Sequence, residues 1–351
     1  MRRAPLWLAV GGCSAALLVP ALASHPSPGG RIGDDTGSAL LERAADAAEQ
    51  LDYQGTQFVA FWAESGSTSA IVEVSHVAGE GSVMRLEPTP QNPAGAVFRS
   101  GGAGAPEVVG FDPATLGLLT RNYETALTGA DTVAGRAVDV VAVRRRGDSP
   151  VARFWLDRET GLVLRREVLD GDGRTLRASA FIRVTFGPTL NTTMDRETAA
   201  DTPRASGSPL DIATVADLRD DGWRLPDGLP DGLELFDARM TGEDDQSLLH
   251  LTYSDGVSTL SLFQQRGRLD TDSLDGFRRI RVGGTPVYAS TTFPRRVVWS
   301  GGGQVFTLVA ECQQDTLEGV IDALPHGEPS RGIRSRLRDG FGRVGSWLNP
   351  F

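Results

Sequence analysis

Lysine is missing from this chain: all 35 basic residues are arginine, which reads as a high-GC coding bias rather than a functional device. Cysteine is nearly missing too. Cys13 and Cys312 are the only two, and Cys13 sits in an apolar leader, so no disulfide framework can be built. Histidine occurs only at positions 25, 76, 250 and 326. No pair of His, Cys or Asp has the spacing of metal ligands. Positive charge is in deficit, with a formal net charge of −10, and that disfavours a nucleic-acid partner. A catalytic constellation is also lacking. His250, Ser254 and Asp255 lie close together, but Ser254-Asp255-Gly256 reads as a hairpin turn, whereas a triad converges from separate elements. His76 lies on a strand and reads as a packed or hydrogen-bonded histidine. Gly101-Gly102-Ala103-Gly104 lacks the strand-then-helix setting of a dinucleotide loop. No catalytic, cofactor or metal residue is therefore expected, and an exported hydrolase is the least favoured class.

What is present is enough apolar matter for real cores, 40% of 351 residues, and enough length for two domains. Met1-Arg2-Arg3 precedes the almost wholly apolar run Ala4 to Ala23, and Ala21-Leu22-Ala23 offers a small-x-small cleavage site. Residues 1–23 read as a secretory signal or a retained membrane anchor, with lipidation at Cys13 as a third option. Each of these sends the rest of the chain out of the cytoplasm, to the periplasm or cell envelope. Residues 24–37 form a flexible lead-in. Ser38 to Asp52 has one narrow apolar stripe, Leu40, Leu41, Ala44, Ala48 and Leu51, and is expected to be a helix lying on a sheet with Ser38 as N-cap.

From Tyr53 the period switches to two. Strands are expected at 57–62, 70–77, 82–86, 97–99, 108–111 and 137–143, followed by three hairpin-linked strands between Arg153 and Phe186. In the last of these, Leu176, Ala178, Ala180, Ile182, Val184 and Phe186 alternate with Arg177, Ser179, Arg183 and Thr185; Phe181 is the one break. Gly161 and the run Asp170-Gly171-Asp172-Gly173 supply the turns. Residues 38–186 thus read as one helix and about nine antiparallel strands, a sheet that long being obliged to curl.

Residues 187–210 are a Pro/Thr/Ser/Gly linker. Residues 211–327 read as a smaller sheet domain, with strands near 233–239, 248–253, 257–264, 285–289, 296–299 and 304–310. Asp255-Gly256 is read as a two-residue hairpin turn. One helix follows, capped by Asp315 with Glu318, its Leu317, Val320, Ile321 and Leu324 facing inward. Residues 328–351 hold Ile333, Leu337, Phe341, Val344 and Leu348 at helical spacing, with arginines that include Arg334 and Arg338. Such a basic amphipathic tail suits an anionic membrane or a partner, or else packs on its own domain. The fold class is α+β.

With one helix for nine strands, the apolar face of the large sheet is short of cover. Phe58, Trp62, Phe154, Leu156, Ile182 and Phe186 are the candidate lining of a hollow for an acyl chain or a partner's side chains. An ordinary filled core is the competing reading.

An ordered set of short motifs resembles the RseB/MucB family of regulators. The large-domain set is Leu51-Asp52-Tyr53-Gln54-Gly55-Thr56, Val74-Ser75-His76, Asn122-Tyr123, Val133-Ala134-Gly135-Arg136, Phe154-Trp155-Leu156-Asp157, Thr160-Gly161-Leu162 and Leu164-Arg165. The small-domain set is Trp223, Leu225-Pro226-Asp227-Gly228, His250-Leu251-Thr252-Tyr253-Ser254-Asp255-Gly256, Ser261-Leu262-Phe263 and Val309-Ala310-Glu311. The resemblance implies a half-barrel of the LolA type joined to a smaller sheet domain. It also implies a non-enzymatic role: binding the extracytoplasmic part of a membrane anti-sigma factor, shielding it from proteolysis and releasing it on a lipidic signal. A lipid carrier using the same hollow is the alternative.

Overall fold

The computed structural model describes residues 35–63, 66–86, 96–100, 113–145, 147–187, 208–242, 247–274, 276–290, 295–310 and 312–326. The leader, most of the lead-in, most of the loop read after the strand near 82–86, the strand expected at 108–111, most of the linker and the basic tail lie outside those residues. No helix among the described residues is long and apolar enough to cross a membrane.

Among the described residues, two antiparallel sheets of nine strands each, with four α-helices, make an α+β fold. The first lobe contains α1 (Asp35–Gln50), β1 (Tyr53–Ala63), β2 (Gly66–Val77), β3 (Gly81–Leu86), β4 (Ala96–Ser100), α2 (Pro113–Asn122), β5 (Glu124–Val133), β6 (Arg136–Arg144), β7 (Pro150–Asp157), β8 (Val163–Leu169) and β9 (Thr175–Phe186). Its strand order is β4-β3-β2-β1-β9-β8-β7-β6-β5. The three-strand unit at β7–β9 forms as its pattern predicts, with Gly161 at φ +88° and Gly173 at φ +80° in its two turns. The sheet curls hard. Cα atoms of β5 come within 8 Å of β9, although three strands lie between them, where a flat sheet would hold them roughly 19 Å apart.

Side chains fill that curl. Val133, Val138, Val140, Trp155 and Leu164 pack in one buried cluster with Tyr53 and Phe181. The other face of β6–β8 is covered by helices: Leu41, Ala44 and Ala45 of α1 and Leu116 and Leu119 of α2 pack on Val141, Val143, Phe154, Leu156 and Val168. Two expectations are corrected here. The large sheet carries two helices, because α2 lies just beyond the Pro/Gly-rich loop and its short stripe escapes the periodicity. Part of the surface assigned to an apolar hollow is covered by these helices, which pack on Phe154 and Leu156. Ser38 is also inside α1 rather than capping it, with its hydroxyl 3.2 Å from that of Thr125.

β9 departs from strict alternation for a local reason. A bulge between Thr56 and Gln57 shifts the β1–β9 register, so Gln57 opposes Phe181 and Thr56 opposes Arg183. Phe181, the apparent exception, becomes core, and Ile182 is turned out to 49% exposure. All of β8 is buried, including Arg165, Arg166 and Glu167, so this part of the sheet has no wet face. Arg165 answers its burial with an ion pair to Glu167 and a seat 4.3 Å from the Trp155 ring centroid.

The second lobe contains β10 (Ser208–Pro209), α3 (Ile212–Asp220), β11 (Gly228–Leu229), β12 (Leu233–Thr241), β13 (Leu248–Ser254), β14 (Thr259–Arg266), β15 (Phe277–Val282), β16 (Thr285–Ser290), β17 (Arg295–Gly301), β18 (Gln304–Ala310) and α4 (Gln314–Ala323). Its order is β10-β12-β13-β14-β18-β17-β16-β15, with β11 also on β12. Trp223, Leu251, Tyr253, Leu262, Trp299 and Phe306 centre its core, and Leu317, Val320 and Ile321 of α4 pack on them as their spacing predicts. Helix α3 adds a second helix where one was expected; its N-cap is Asp211, whose carboxylate accepts from Thr214 N at 2.8 Å. β15 was also unforeseen, because Arg278, Arg279 and Arg281 interrupt the apolar pattern. The predicted Asp315–Glu318 capping box does not form: the cap position is Gln313, and Glu318 accepts from Gln314 Nε2 at 2.8 Å.

Candidate functional site

The loop between β13 and β14 runs from Asp255 to Ser258, four residues rather than two. Asp255 does the turn chemistry expected of it: its Oδ1 accepts from Val257 N at 2.8 Å and Ser258 N at 2.6 Å. Its other oxygen leaves the lobe. The Tyr123 hydroxyl, at the end of α2, donates to Asp255 Oδ2 at 2.6 Å, across 132 residues of chain. Arg145 lies 3.7 Å from the same oxygen and donates to Tyr123 Oη at 3.3 Å and to Asp231 O at 2.9 Å. Asn122 Nδ2 donates to Asp255 O at 3.1 Å and Gly232 O at 3.2 Å. Arg166 Nη2 donates to Val257 O at 2.6 Å, and the Val257 side chain is buried in the core beneath α1 and α2.

The turn is therefore a plug that the second lobe inserts into the first. Backbone conformation makes it fit. Gly256 has φ +93°, and a β-carbon there would lie within 2.7 Å of Leu119 Cβ and closer still to the Leu119 backbone. Asp231 contributes from a second turn at φ +65°, its carboxylate held by Thr316 Oγ1 at 2.6 Å. The Tyr123 hydroxyl is pushed well above the ordinary phenol range, first by burial and then by the Asp255 carboxylate it bonds, so it stays a donor. Buried, charge-assisted and fully partnered, these contacts hold the two lobes as a unit.

The six residues assigned to an apolar hollow differ in burial. Phe58 and Trp62 are half-buried on β1, while Phe154 and Leu156 are buried under the helices. Ile182 is exposed, and Phe186 is half-buried with the Arg136 guanidinium 4.8 Å from its ring centroid. The tail residues Ile333, Arg334, Leu337, Arg338, Phe341, Val344 and Leu348 lie outside the described residues. Among the histidines, His76 Nδ1 donates to Leu51 O at 2.8 Å and stacks on Tyr53. His250 stacks on Phe263, 4.2 Å between centroids, away from Asp255. Burial, with help from Arg239, lowers the His250 pKa to about 4. Asp255, Asn122, Tyr123 and Arg145 were missed as a site because each looks local in sequence. The signal that could have found them was already there: Asn122-Tyr123 and Tyr253-Ser254-Asp255-Gly256 were both among the resembling motifs.

The remaining motifs build the lobes. Arg136 holds Asp157 with two bonds of 2.9 Å, and Thr160 donates to the same carboxylate from its hydroxyl and its backbone. Burial alone would raise the Asp157 pKa; these donors outweigh it and hold it below the usual range. Tyr253 Oη donates to Pro226 O at 2.9 Å, tying two of the small-lobe motifs together.

Comparison with known proteins gives the following matches. Residues 91–201 match the MucB/RseB N-terminal domain. The sigma factor AlgU regulatory protein MucB of Pseudomonas aeruginosa is 28% identical over 307 residues, 81% of this chain and 89% of that protein, so the match runs through both lobes and the plug between them. The chain is thus similar to the MucB/RseB family. A crystal structure of MucB shares the fold at 24% identity with a TM-score of 0.53, covering 82% of this chain and 97% of that one.

Proposed function

We propose that this MucB/RseB-like chain is an extracytoplasmic regulatory binding protein. It binds the exported segment of a membrane anti-sigma factor, shields that segment from proteolysis and releases it on a lipidic signal. The observation that carries the reading is the match to a sigma-factor regulatory protein across both lobes rather than over one sheet alone. The locked joint adds to it: two lobes fixed by Tyr123, Asp255 and Arg145 present one continuous surface to a long segment, and a pre-ordered surface spends less free energy on binding. Residues 38–186 and 211–327 serve as the two lobes, and residues 1–23 direct export. The tail from residue 328 adds a contact to anionic membrane.

Affinity purification from the native envelope tests this. A single-span membrane protein should copurify, and its exported segment should be cleaved more slowly in the presence of this chain. Anionic lipid added to the mixture should restore cleavage. Recovery of stoichiometric lipid with no such partner would overturn the reading in favour of a carrier. Deleting residues 330–351 should weaken binding to anionic vesicles; unchanged binding would remove the membrane contact.

A further inference from the structure

We infer that the outer edge of the second sheet is a docking site for an extended, acidic segment of a partner protein, which adds to β15 as one further strand. The inference rests on the sheet edge and its charges and does not need the anti-sigma reading.

β15 is the last strand in its sheet. All six of its residues pair with β16 on one side, and among the described residues no strand lies on the other. An edge of that kind leaves alternate backbone N–H and C=O groups open to another chain. The register sorts its side chains. Arg279 opposes Tyr288 and Arg281 opposes Pro286, whereas Arg278 opposes Ala289 and Ile280 opposes Val287. Arg279 and Arg281 therefore stand on the side of the sheet where Tyr288 and Pro286 line a groove of about 500 Å³. Arg268 and Leu269 of the loop after β14, with Trp299 and His326, form its other walls. On the opposite side Arg278 and Ile280 continue the face of the core residues Val287 and Ala289.

The three arginines of β15 are exposed, and so is Ile280, at 39%. Neither β15 nor β16 contains an acidic residue. Asp270 and Asp272 in the loop after β14 and Asp322 beside Gly283 are the acids nearby, and Arg281 also donates to Gly284 O at 2.9 Å. On a chain with net charge −10, β15 itself carries three arginines and no acid.

Charged edge strands often serve only to block pairing. Here the block is selective. Arginine repels a basic strand and leaves an apolar one with unpaired charge, but it attracts an acidic strand. A purely protective edge has no use for an exposed isoleucine at its centre, whereas an added strand would cover Ile280. Such a strand places every second side chain on one face, about 6.8 Å apart, so two carboxylates reach Arg279 and Arg281 over the groove while the residue between them meets Ile280. Main-chain bonds supply affinity and the alternating side chains supply selectivity.

The test uses the full chain and a fluorescent ten-residue peptide of alternating Glu and Val, read by anisotropy. The peptide should bind, amide exchange in β15 should slow on binding, and the doubly substituted Arg279→Glu/Arg281→Glu protein, checked for an unchanged melt, should bind at least about tenfold more weakly. The same peptide N-methylated on alternate amides should lose binding to a similar degree, because it cannot complete the ladder. Equal binding of the methylated peptide would overturn strand addition in favour of charge attraction alone. Displacement of the peptide by phosphatidylglycerol vesicles, lost in the double variant, would overturn it in favour of a lipid surface. No peptide binding at low salt would overturn it outright. Any of these failures leaves the copurified membrane partner, and hence the family reading, untouched.

Discussion

Gly256→Ala should open the joint between the lobes without unfolding either sheet. The added methyl collides with Leu119, whose Cβ would be 2.7 Å away, and Leu119 belongs to a helix that cannot retreat because its far side is core. Alanine at φ +93° costs about 1–2 kcal/mol by itself. Withdrawing the plug also breaks the bonds from Tyr123 and Asn122 to Asp255 and from Arg166 to Val257. Bonds that involve a charged group are worth about 1.5–3 kcal/mol each, and a neutral one about 1 kcal/mol. Those bonds, together roughly 4–7 kcal/mol, are what opening gives up, but a β-carbon 2.2 Å from Leu119 N leaves the closed joint no room, so the lobes part. Hydrogen exchange reads this directly. The amide of Tyr123, bonded to Leu119 O at 2.9 Å, should exchange far faster in the variant, as should those around Arg166 and Val257. The sheet interiors should stay protected. Gly173→Ala is the control: it has the same sign of φ, +80°, with no atom within 4 Å of the new methyl. It should cost only the backbone strain and leave the joint closed. Wild-type exchange at Tyr123 in the Gly256 variant would refute the plug. Tyr123→Phe, which removes one bond and adds no bulk, should give an intermediate opening of about tenfold or more.

His250 predicts an acid-side loss of stability. Its folded pKa of about 4 lies below the unfolded value near 6.5, so the unfolded chain takes up the proton first. Stability should fall by roughly 2–3 kcal/mol as pH drops from 6.5 to 4, and His250→Phe should flatten that part of a urea-melt pH series; an unchanged slope would place the titration elsewhere. Cys312 should be a sluggish thiol. Burial, reinforced by Asp255, raises its pKa to about 12. In Cys13→Ser protein at pH 8, aromatic disulfide reagent should label it on the order of a thousandfold more slowly than free cysteine, and should speed up once urea exposes it. Stoichiometric labelling within a minute of mixing native protein would contradict this.

Much of the architecture was legible because it is local. Period-two alternation marked most strands, and Gly161 and Gly173 marked turns whose positive φ glycine alone adopts cheaply. The apolar spacing of α1 and α4 marked two helices. Elements failed to show where local pattern was weak or misleading: α2 behind a Pro/Gly-rich stretch, α3 with a shallow stripe, and β15 with three arginines on an exposed edge. Composition and motif order were enough to exclude a disulfide scaffold and to point to the family.

The tertiary structure decided everything that depends on which face meets which. A single bulge opposite Phe181 and Ile182 exchanged the core and solvent roles of two adjacent residues, and no alternation rule can see a partner strand 125 residues away. Asp255 shows the limit most clearly. Sequence placed Asp255 in a turn, and one oxygen of its carboxylate does close that turn over three residues. The other oxygen meets Tyr123, and only the folding of two separate sheets against each other brings that hydroxyl within reach.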